Sequence, residues 1–474
     1  VPATSGTLSL LAGCVALALA IAPRPAAAQA SPAPVPAEPE TEAEATAEAA
    51  SQSDEGAVDD SEAPTTSSEQ GQTSMDESFG PKSRRDWIRE TRRKAFEDTK
   101  FDVQARSYYL DRTKYDDSES EAWAVGGSAG FKTGYFRDRW AFGATGYTSQ
   151  PLHAPDDKDG TLLLQSGQEG YAVIGEAYGE FLINEDSKIS FGRRALDTPY
   201  INRNDSRMTP NTFEAITFHG LYGGDGKAEW RVGGGYIDEI KERTAENFVS
   251  MAQDAGAPDG VDEGVYAAGV NYKLGDLSIG AIDYYSPDII NIFYTEAKYA
   301  WAFGNDMKLG LAGQFTDQTS VGDELLRGTD FQSQQWGAKA DLTYKRGLFS
   351  FAYTSASGDT DMQGPWSGYP GYTSVQVEDF NRDGEDAWML RAAYNFASLK
   401  GASIYGLYVN GSDPDSPSAY AKNEYDLNFQ WTVAEGSFGG LMVRLRYAHI
   451  SQDDPLQTDQ DDVRVMLYYD PPKL

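Results

Sequence analysis

From residue 101 onward, apolar and polar side chains alternate with a period of two, and no apolar run beyond residue 30 is long enough to cross a membrane as a helix. Along Tyr425-Asp-Leu-Asn-Phe-Gln-Trp-Thr-Val433 every odd position is apolar and every even position polar. Residues 336–344 repeat the pattern, with Trp336, Ala338, Ala340, Leu342 and Tyr344 set against Lys339, Asp341 and Thr343. Alternation sustained over about 9–11 residues is the strand period at bilayer-spanning length. Tight turns punctuate it at Gly224-Asp225-Gly226, Leu274-Gly275-Asp276, Lys345-Arg346-Gly347 and Lys400-Gly401, whereas longer polar stretches such as 358–376 separate other strands. Short turns at one end and long loops at the other are the asymmetry of an outer-membrane barrel. Strand cores are expected to begin near residues 101, 121, 136, 170, 187, 213, 228, 263, 276, 289, 306, 333, 348, 386, 402, 424, 440 and 461. The fold class is therefore all-β, a transmembrane antiparallel barrel of about eighteen strands over residues 101–474.

Composition removes the alternatives. With 40 Lys+Arg against 73 Asp+Glu, the formal charge of −33 lacks the basic footprint of a nucleic-acid binder. One cysteine excludes an internal disulfide or a multi-cysteine metal site, and His153, His219 and His449 are too scattered for a histidine-rich centre, so no metal or cofactor is expected. A mean hydropathy of −0.53 excludes a helical membrane bundle but not a barrel, in which only alternate residues face lipid. Tyr108, Tyr109, Tyr294, Tyr299, Trp301, Tyr468 and Tyr469 near strand ends suggest an aromatic girdle.

Three segments precede the barrel. Residues 1–30 read as a secretory signal peptide, with an apolar stretch over 8–22 and small residues at Ala28 and Ala30 around the cleavage point. Leu11-Ala12-Gly13-Cys14 resembles a lipoprotein box, but the apolar run continues past Cys14, which argues against acylation there. Residues 31–80 are rich in Ala, Pro, Glu, Ser and Thr and contain no Lys or Arg, the composition of a disordered acidic segment. Over 81–100 the sign reverses: Arg84, Arg85, Arg89, Arg92, Arg93 and Lys94 surround Trp87 and Ile88 at helical spacing. This reads as a basic amphipathic helix, either solvated or resting on lipid headgroups or on the barrel's periplasmic rim.

Parity assigns arginines to the inner wall. In Val443-Arg444-Leu445-Arg446-Tyr447 the apolar residues share one face, which leaves Arg444 and Arg446 on the other. Val463, Val465, Leu467 and Tyr469 facing lipid turn Arg464 inward; Phe101, Val103 and Ala105 outward turn Arg106 and Arg112 inward. Closure of the barrel brings these five arginines onto three adjacent strands, and Arg391 joins them through the Trp388, Leu390, Ala392 alternation. Facing acids would neutralise such a wall; without them it is a cationic ladder for anionic groups. Between two strands, 196–212 is polar, contains Pro199 and Pro210, and offers Asp197 and Asp205 as partners for Arg203 and Arg207.

These stretches also resemble a known family. Lys94-Ala-Phe-Glu-Asp98, Arg106-Ser-Tyr-Tyr-Leu-Asp-Arg112, Phe191-Gly-Arg-Arg-Ala-Leu-Asp-Thr-Pro-Tyr200, Asn204-Asp-Ser-Arg-Met-Thr-Pro-Asn-Thr-Phe-Glu214, Gly384-Glu-Asp-Ala-Trp388 and the end from Asp462 resemble, in order and spacing, the OprD-type porins, substrate-specific outer-membrane channels of Gram-negative bacteria. The resemblance implies an eighteen-stranded barrel narrowed by an inward-folded loop, passing small carboxylate-bearing solutes such as amino acids, small organic acids and peptides. It places the family's arginine ladder on Arg391, Arg444, Arg446 and Arg464 with Arg106 and Arg112, and the constriction arginine on Arg207. Members that take basic amino acids carry an acid in a later inward loop; Gly364-Pro-Trp-Ser-Gly-Tyr-Pro-Gly-Tyr372 has none, which counts against that preference. The expected partners are such solutes, outer-membrane lipid and lipopolysaccharide, with a monomer or a homotrimer both open.

Two other classes fit less well. A hydrolase needs a base beside a nucleophile, yet His449 points outward with Tyr447, and His219 and His153 have no neighbouring Ser or Asp motif. A structural barrel tethering the envelope through its N-terminal extension is compatible with a channel rather than exclusive of it. Asp379, Asn381, Asp383 and Gly384 have the spacing of half a calcium loop, but its twelfth position is Leu390, so a rim turn is the simpler reading.

Overall fold

The computed structural model describes residues 73–80, 83–224, 227–304, 306–412, 414–415, 420–436, 438–454 and 456–471. The expected signal peptide, Cys14 and the acidic segment up to residue 72 lie outside the described residues.

Alternation produces eighteen long strands. The first six are β1 (Lys100–Thr113), β2 (Glu119–Lys132), β3 (Trp140–His153), β4 (Tyr171–Asn184), β5 (Ser187–Arg194) and β6 (Thr212–Gly223). Next come β7 (Glu229–Lys241), β8 (Val265–Leu274), β9 (Leu277–Ser286), β10 (Ile290–Phe303), β11 (Met307–Thr319) and β12 (Gln332–Tyr344). The last six are β13 (Gly347–Gly358), β14 (Asp386–Asn395), β15 (Ala402–Ser412), β16 (Lys422–Thr432), β17 (Leu441–Gln452) and β18 (Gln460–Tyr469). Each pairs antiparallel with its neighbours in sequence, and β18 returns to β1 in a register running from Ala105↔Tyr469 to Thr113↔Asp461. The barrel is closed, so no strand edge is left without ladder partners in the bilayer. A two-residue strand, Val249–Ser250, pairs with β7 beyond the wall.

The pleat sorts side chains as parity requires. On β16, Tyr425 and Leu427 are half exposed on the outer face, while Glu424, Asp426 and Asn428 are buried inside. The sequence misplaces the third strand by four residues: Tyr135 and Phe136 look like its beginning, but Arg137 and Asp138 adopt left-handed φ values of 50° and 57° and turn the chain before Trp140. The aromatic girdle also needs correction. Tyr299 and Trp301 are exposed on the outer face, but Tyr108 and Tyr294 are fully buried on the inner one, because Tyr108 shares parity with Arg106.

A barrel of this strand number leaves an aqueous channel unless something enters it. Two loops on the long-loop, extracellular side do so. The first, 195–211, crosses the lumen: the Tyr200 backbone N–H donates to the Tyr284 hydroxyl (3.2 Å), which itself donates to Thr198 Oγ1 (2.9 Å). The second, 359–385, brings in Trp366 and Tyr369. Tyr200, Tyr284, Tyr294 and Tyr369 pack edge-on, with ring centroids 6.0–6.1 Å from that of Tyr200.

The chain before β1 also enters the barrel. A 3-10 turn, Met75–Glu77, is followed by helix α1 (Arg84–Thr91), capped by Ser83, whose Oγ accepts from the Asp86 N–H at 3.1 Å. Met75, Phe79 and Trp87 are almost fully buried, so residues 73–80 of the expected disordered segment are packed. The basic helix packs one face, through Trp87, against the barrel's periplasmic rim and leaves Arg85 and Arg89 exposed. It sits at the short-turn, periplasmic end, where Trp87 Nε1 donates to the Glu185 carbonyl (2.8 Å) and Arg84 pairs with Asp186 and donates to the Leu221 carbonyl (2.6 Å).

Candidate functional site

The inner wall of β17, β18 and β1 gathers the arginines that parity assigned to it. Arg446 lies directly opposite Arg464, and Arg464 in turn opposite Leu110; both arginines are buried. Arg444, two residues from Arg446 on the same face, donates to Asn428 Oδ1 at 2.6 Å. Arg391 projects inward from β14 with its guanidinium 4.1 Å from the centroid of the Tyr405 ring.

Acids temper part of this wall. Asp462 is buried between two arginines, 2.7 Å from Arg112 and 2.6 Å from Arg464. Arg106 is held bidentately by Asp205 of the first inward loop, at 2.6 and 2.7 Å. Asp205 was expected beside Arg207; the structure gives it to Arg106, because residues 205–208 lie along β1, with Arg106 also reaching the Arg207 carbonyl at 3.1 Å. Asp197 does pair with Arg203, at 2.9 and 2.5 Å, and this pair closes a turn within the loop.

Arg207 is buried, and among the described residues it donates to two backbone carbonyls, Thr161 (3.2 Å) and Ser206 (3.0 Å). Burial, compounded by the guanidiniums of Arg464 and Arg243, holds its pKa well below the ordinary arginine value. Arginine nevertheless stays protonated in proteins, so Arg207 remains a buried positive charge. Arg243, in the loop after β7, donates to Ser206 Oγ at 2.7 Å and is lowered by the same burial.

The second inward loop lies across the ladder. Gln376 donates to Asp462 (2.8 Å), and its carbonyl accepts from Arg464 (3.1 Å). The next two backbone N–H groups, of Val377 and Glu378, donate to Glu424 at 2.8 Å each, and the Gln376 N–H donates to Asp426 at 3.2 Å. Sequence reading missed Gln376, Arg243 and the inward acids Glu424, Asp426 and Asp462. Parity carried a signal for the acids, since all three alternate with outward apolar residues; nothing local marked Gln376 or Arg243.

The comparisons agree with this architecture. The family described as "outer membrane porin, OprD family" matches residues 94–472. Porin D of Pseudomonas aeruginosa is 25% identical over 419 residues, spanning 79% of this chain and 90% of its own. Among solved structures, Pseudomonas aeruginosa OccK9 (OpdG) is similar at a TM-score of 0.71 and 21% identity, over 79% of this chain and 98% of its own. Acinetobacter baumannii OccAB3 is similar at 0.70 and 19%, over 79% and 99%, and Pseudomonas aeruginosa OpdK with vanillate at 0.69 and 20%, over 79% and 99%. With a closed eighteen-stranded barrel, an outer apolar face and loops folded into its lumen, the chain belongs to the OprD family of outer-membrane porins, channels for substrate-specific uptake in Gram-negative bacteria rather than enzymes.

Proposed function

We infer that the pore takes up small carboxylate-bearing solutes, namely amino acids, small organic acids and short peptides, along Arg391, Arg444, Arg446, Arg464, Arg106 and Arg112, with Arg207 at the constriction. The observation that carries this reading is the cross-strand pairing of Arg446 with Arg464 together with the buried Arg207, whose hydrogen bonds go to backbone carbonyls. Guanidiniums crowded at low dielectric repel one another, and a passing carboxylate relieves that repulsion through charge-assisted, bidentate hydrogen bonds. Vanillate, with which OpdK was solved, is itself a carboxylate. Residues 364–372 carry no acid, which favours neutral and acidic amino acids over basic ones. In this reading the outer face meets lipid and lipopolysaccharide. A monomer suffices, because the barrel closes on itself; a homotrimer would repeat the same pore.

Reconstituted protein in a planar bilayer tests it. Carboxylates should block the current at concentrations at which amides of equal size do not, and anions should dominate the reversal potential in a salt gradient. Equal permeation by carboxylates and matched neutral amides would sink the assignment.

A further inference from the structure

The periplasmic half of the lumen is occupied by this chain's own N-terminal segment, for which the inner wall carries a shaped seat. Gly233 on β7 and Gly269 on β8 are directly paired and both face inward. The Phe79 ring lies over them so closely that a Cβ at Gly233 would be 1.8 Å from Phe79 Cδ1, and one at Gly269 would be 2.8 Å from Phe79 Cζ. On the neighbouring β9, a Cβ at Gly280 would meet the Met75 side chain at 3.0 Å. Adjacent luminal glycines weaken strands, and they are retained where something approaches the backbone closely. Phe79 itself adopts φ 65°, a left-handed conformation that is unfavourable for a non-glycine residue and persists only where its surroundings enforce it.

Polar contacts fix the same segment at both ends. The Met75 N–H donates to Glu296 at 3.0 Å, and Asp76 pairs with Lys298 at 2.6 Å. At the mouth, Glu90 of α1 pairs with Lys132 and stands 3.5 Å from Lys188, whose ammonium lies 5.2 Å from the centroid of the Trp87 ring. Glu296 also accepts from the Tyr372 hydroxyl (2.9 Å), so one inner-wall carboxylate holds both this segment and the second inward loop. Between α1 and the first inward loop a chamber of about 610 Å³ remains, bordered by Phe79, Glu90, Lys132, Arg194 and Asp197.

We propose that residues 73–80 and 83–91 form a plug carried in cis, a second and periplasmic constriction that sets the size of solute leaving the pore, with Phe79 in the glycine seat as its anchor. This rests on the channel architecture alone and not on the carboxylate pathway. A solute that has passed the inward loops enters the chamber and must then pass the plug, so the two constrictions act in series and the tighter one limits conductance. Burial of the aromatic anchor, with the ion pairs at either end of the segment, keeps the plug seated.

The test evicts the anchor from the full-length protein without touching any arginine. Gly233→Val places a side chain where the Phe79 ring lies, and Phe79→Ala removes the ring from the other side. Both should raise single-channel conductance about two-fold or more and admit larger neutral sugars in liposome swelling, with ion selectivity little changed. A Met75→Cys/Gly280→Cys pair supplies the converse. The Cβ-to-Cβ distance of 3.1 Å at this site is shorter than the roughly 3.5–4.5 Å of a disulfide, so a small outward shift of the 3-10 turn brings the pair into range; oxidation should then lock the plug, hold conductance at or below the wild-type level and abolish large openings, and reduction should restore them. Wild-type conductance and size cut-off in both eviction variants, together with an oxidised pair indistinguishable from the reduced one, would overturn the plug. If Gly233→Val fails to insert, Phe79→Ala and the cysteine pair still decide the question.

Discussion

Arg446 on β17 and Arg464 on β18 face each other directly across the ladder, both on the luminal side and both buried. Opposed residues of an antiparallel pair have Cβ atoms about 4.5–5.5 Å apart, so the two like charges share one stretch of the inner wall. Asp462 offsets this for Arg464 but lies opposite Ala448, so its carboxylate is directed to Arg464 and Arg112. The pairing therefore concentrates positive charge on this stretch of the lumen wall.

Arg446→Gln removes one of the two facing positive charges while keeping a hydrogen-bonding side chain at the position, so the barrel should still fold. Carboxylate-specific block should weaken several-fold, as read from current inhibition at fixed solute concentration, and heat-modifiable migration on gels should remain that of the wild type.

Asp462→Asn should do the reverse. It leaves Arg112 and Arg464 without their shared carboxylate, while the Asn oxygen can still accept from Gln376, and breaking a buried pair costs about 3–5 kcal/mol. A lower unfolding temperature with a stronger anion preference in the reversal potential is the expected outcome.

Reversing charge at the constriction, Arg207→Glu, should move selectivity toward cations and reduce carboxylate uptake. The Thr161 and Ser206 carbonyls lose their donor, but the incoming carboxylate lies near the guanidiniums of Arg464 and Arg243, so the barrel itself should tolerate it. Unchanged reversal potentials alongside a destabilised barrel would show that Arg207 only braces the loop.

Tyr284→Phe tests the anchor of the first inward loop. Its hydroxyl accepts from the Tyr200 N–H and donates to Thr198, and stranding these groups costs about 1–3 kcal/mol of local stability. Current noise and mean conductance should both rise, with selectivity set by the arginines retained.

Burial pushes the Asp379 carboxyl in the second inward loop up to about 6, against the hydrogen bond donated by Ser374 and with Glu378 adding to the rise. A raised folded-state pKa means that the folded loop binds the proton more tightly than the unfolded chain. The resulting stability is present at low pH and is lost as pH rises through about 6. Acidification from neutral to pH 5 should therefore quiet loop-dependent current fluctuations, and Asp379→Asn should remove that pH dependence. The plug should persist over the same window: burial alone would raise the Glu90 carboxyl, but Lys188 and Lys132 hold it down at about 2.

Much of the barrel was legible residue by residue. Period-two alternation placed every long strand within four residues of its observed start, and it turned Arg106, Arg112, Arg391, Arg444, Arg446 and Arg464 inward with no knowledge of their neighbours. The same parity, applied to Tyr108, would have withdrawn it from the girdle; composition near a strand end was the weaker guide. Asp197 with Arg203 was legible because the partners are six residues apart in one loop. Arg106 with Asp205 was not, because the partners are 99 residues apart and meet only once the loop has folded along β1.

What the sequence determined by itself is the wall: a two-residue period specifies which side of a closed sheet each residue faces, and ladder hydrogen bonding completes the barrel from local pattern alone. What only the tertiary structure decided is the content of the lumen. Gln376 on Arg464, Asp205 on Arg106 and Phe79 in the seat at Gly233 are contacts between segments with no shared periodicity. Their positions follow from which inner-wall surface offers the right shape and charge, a property that exists only after distant strands have come together.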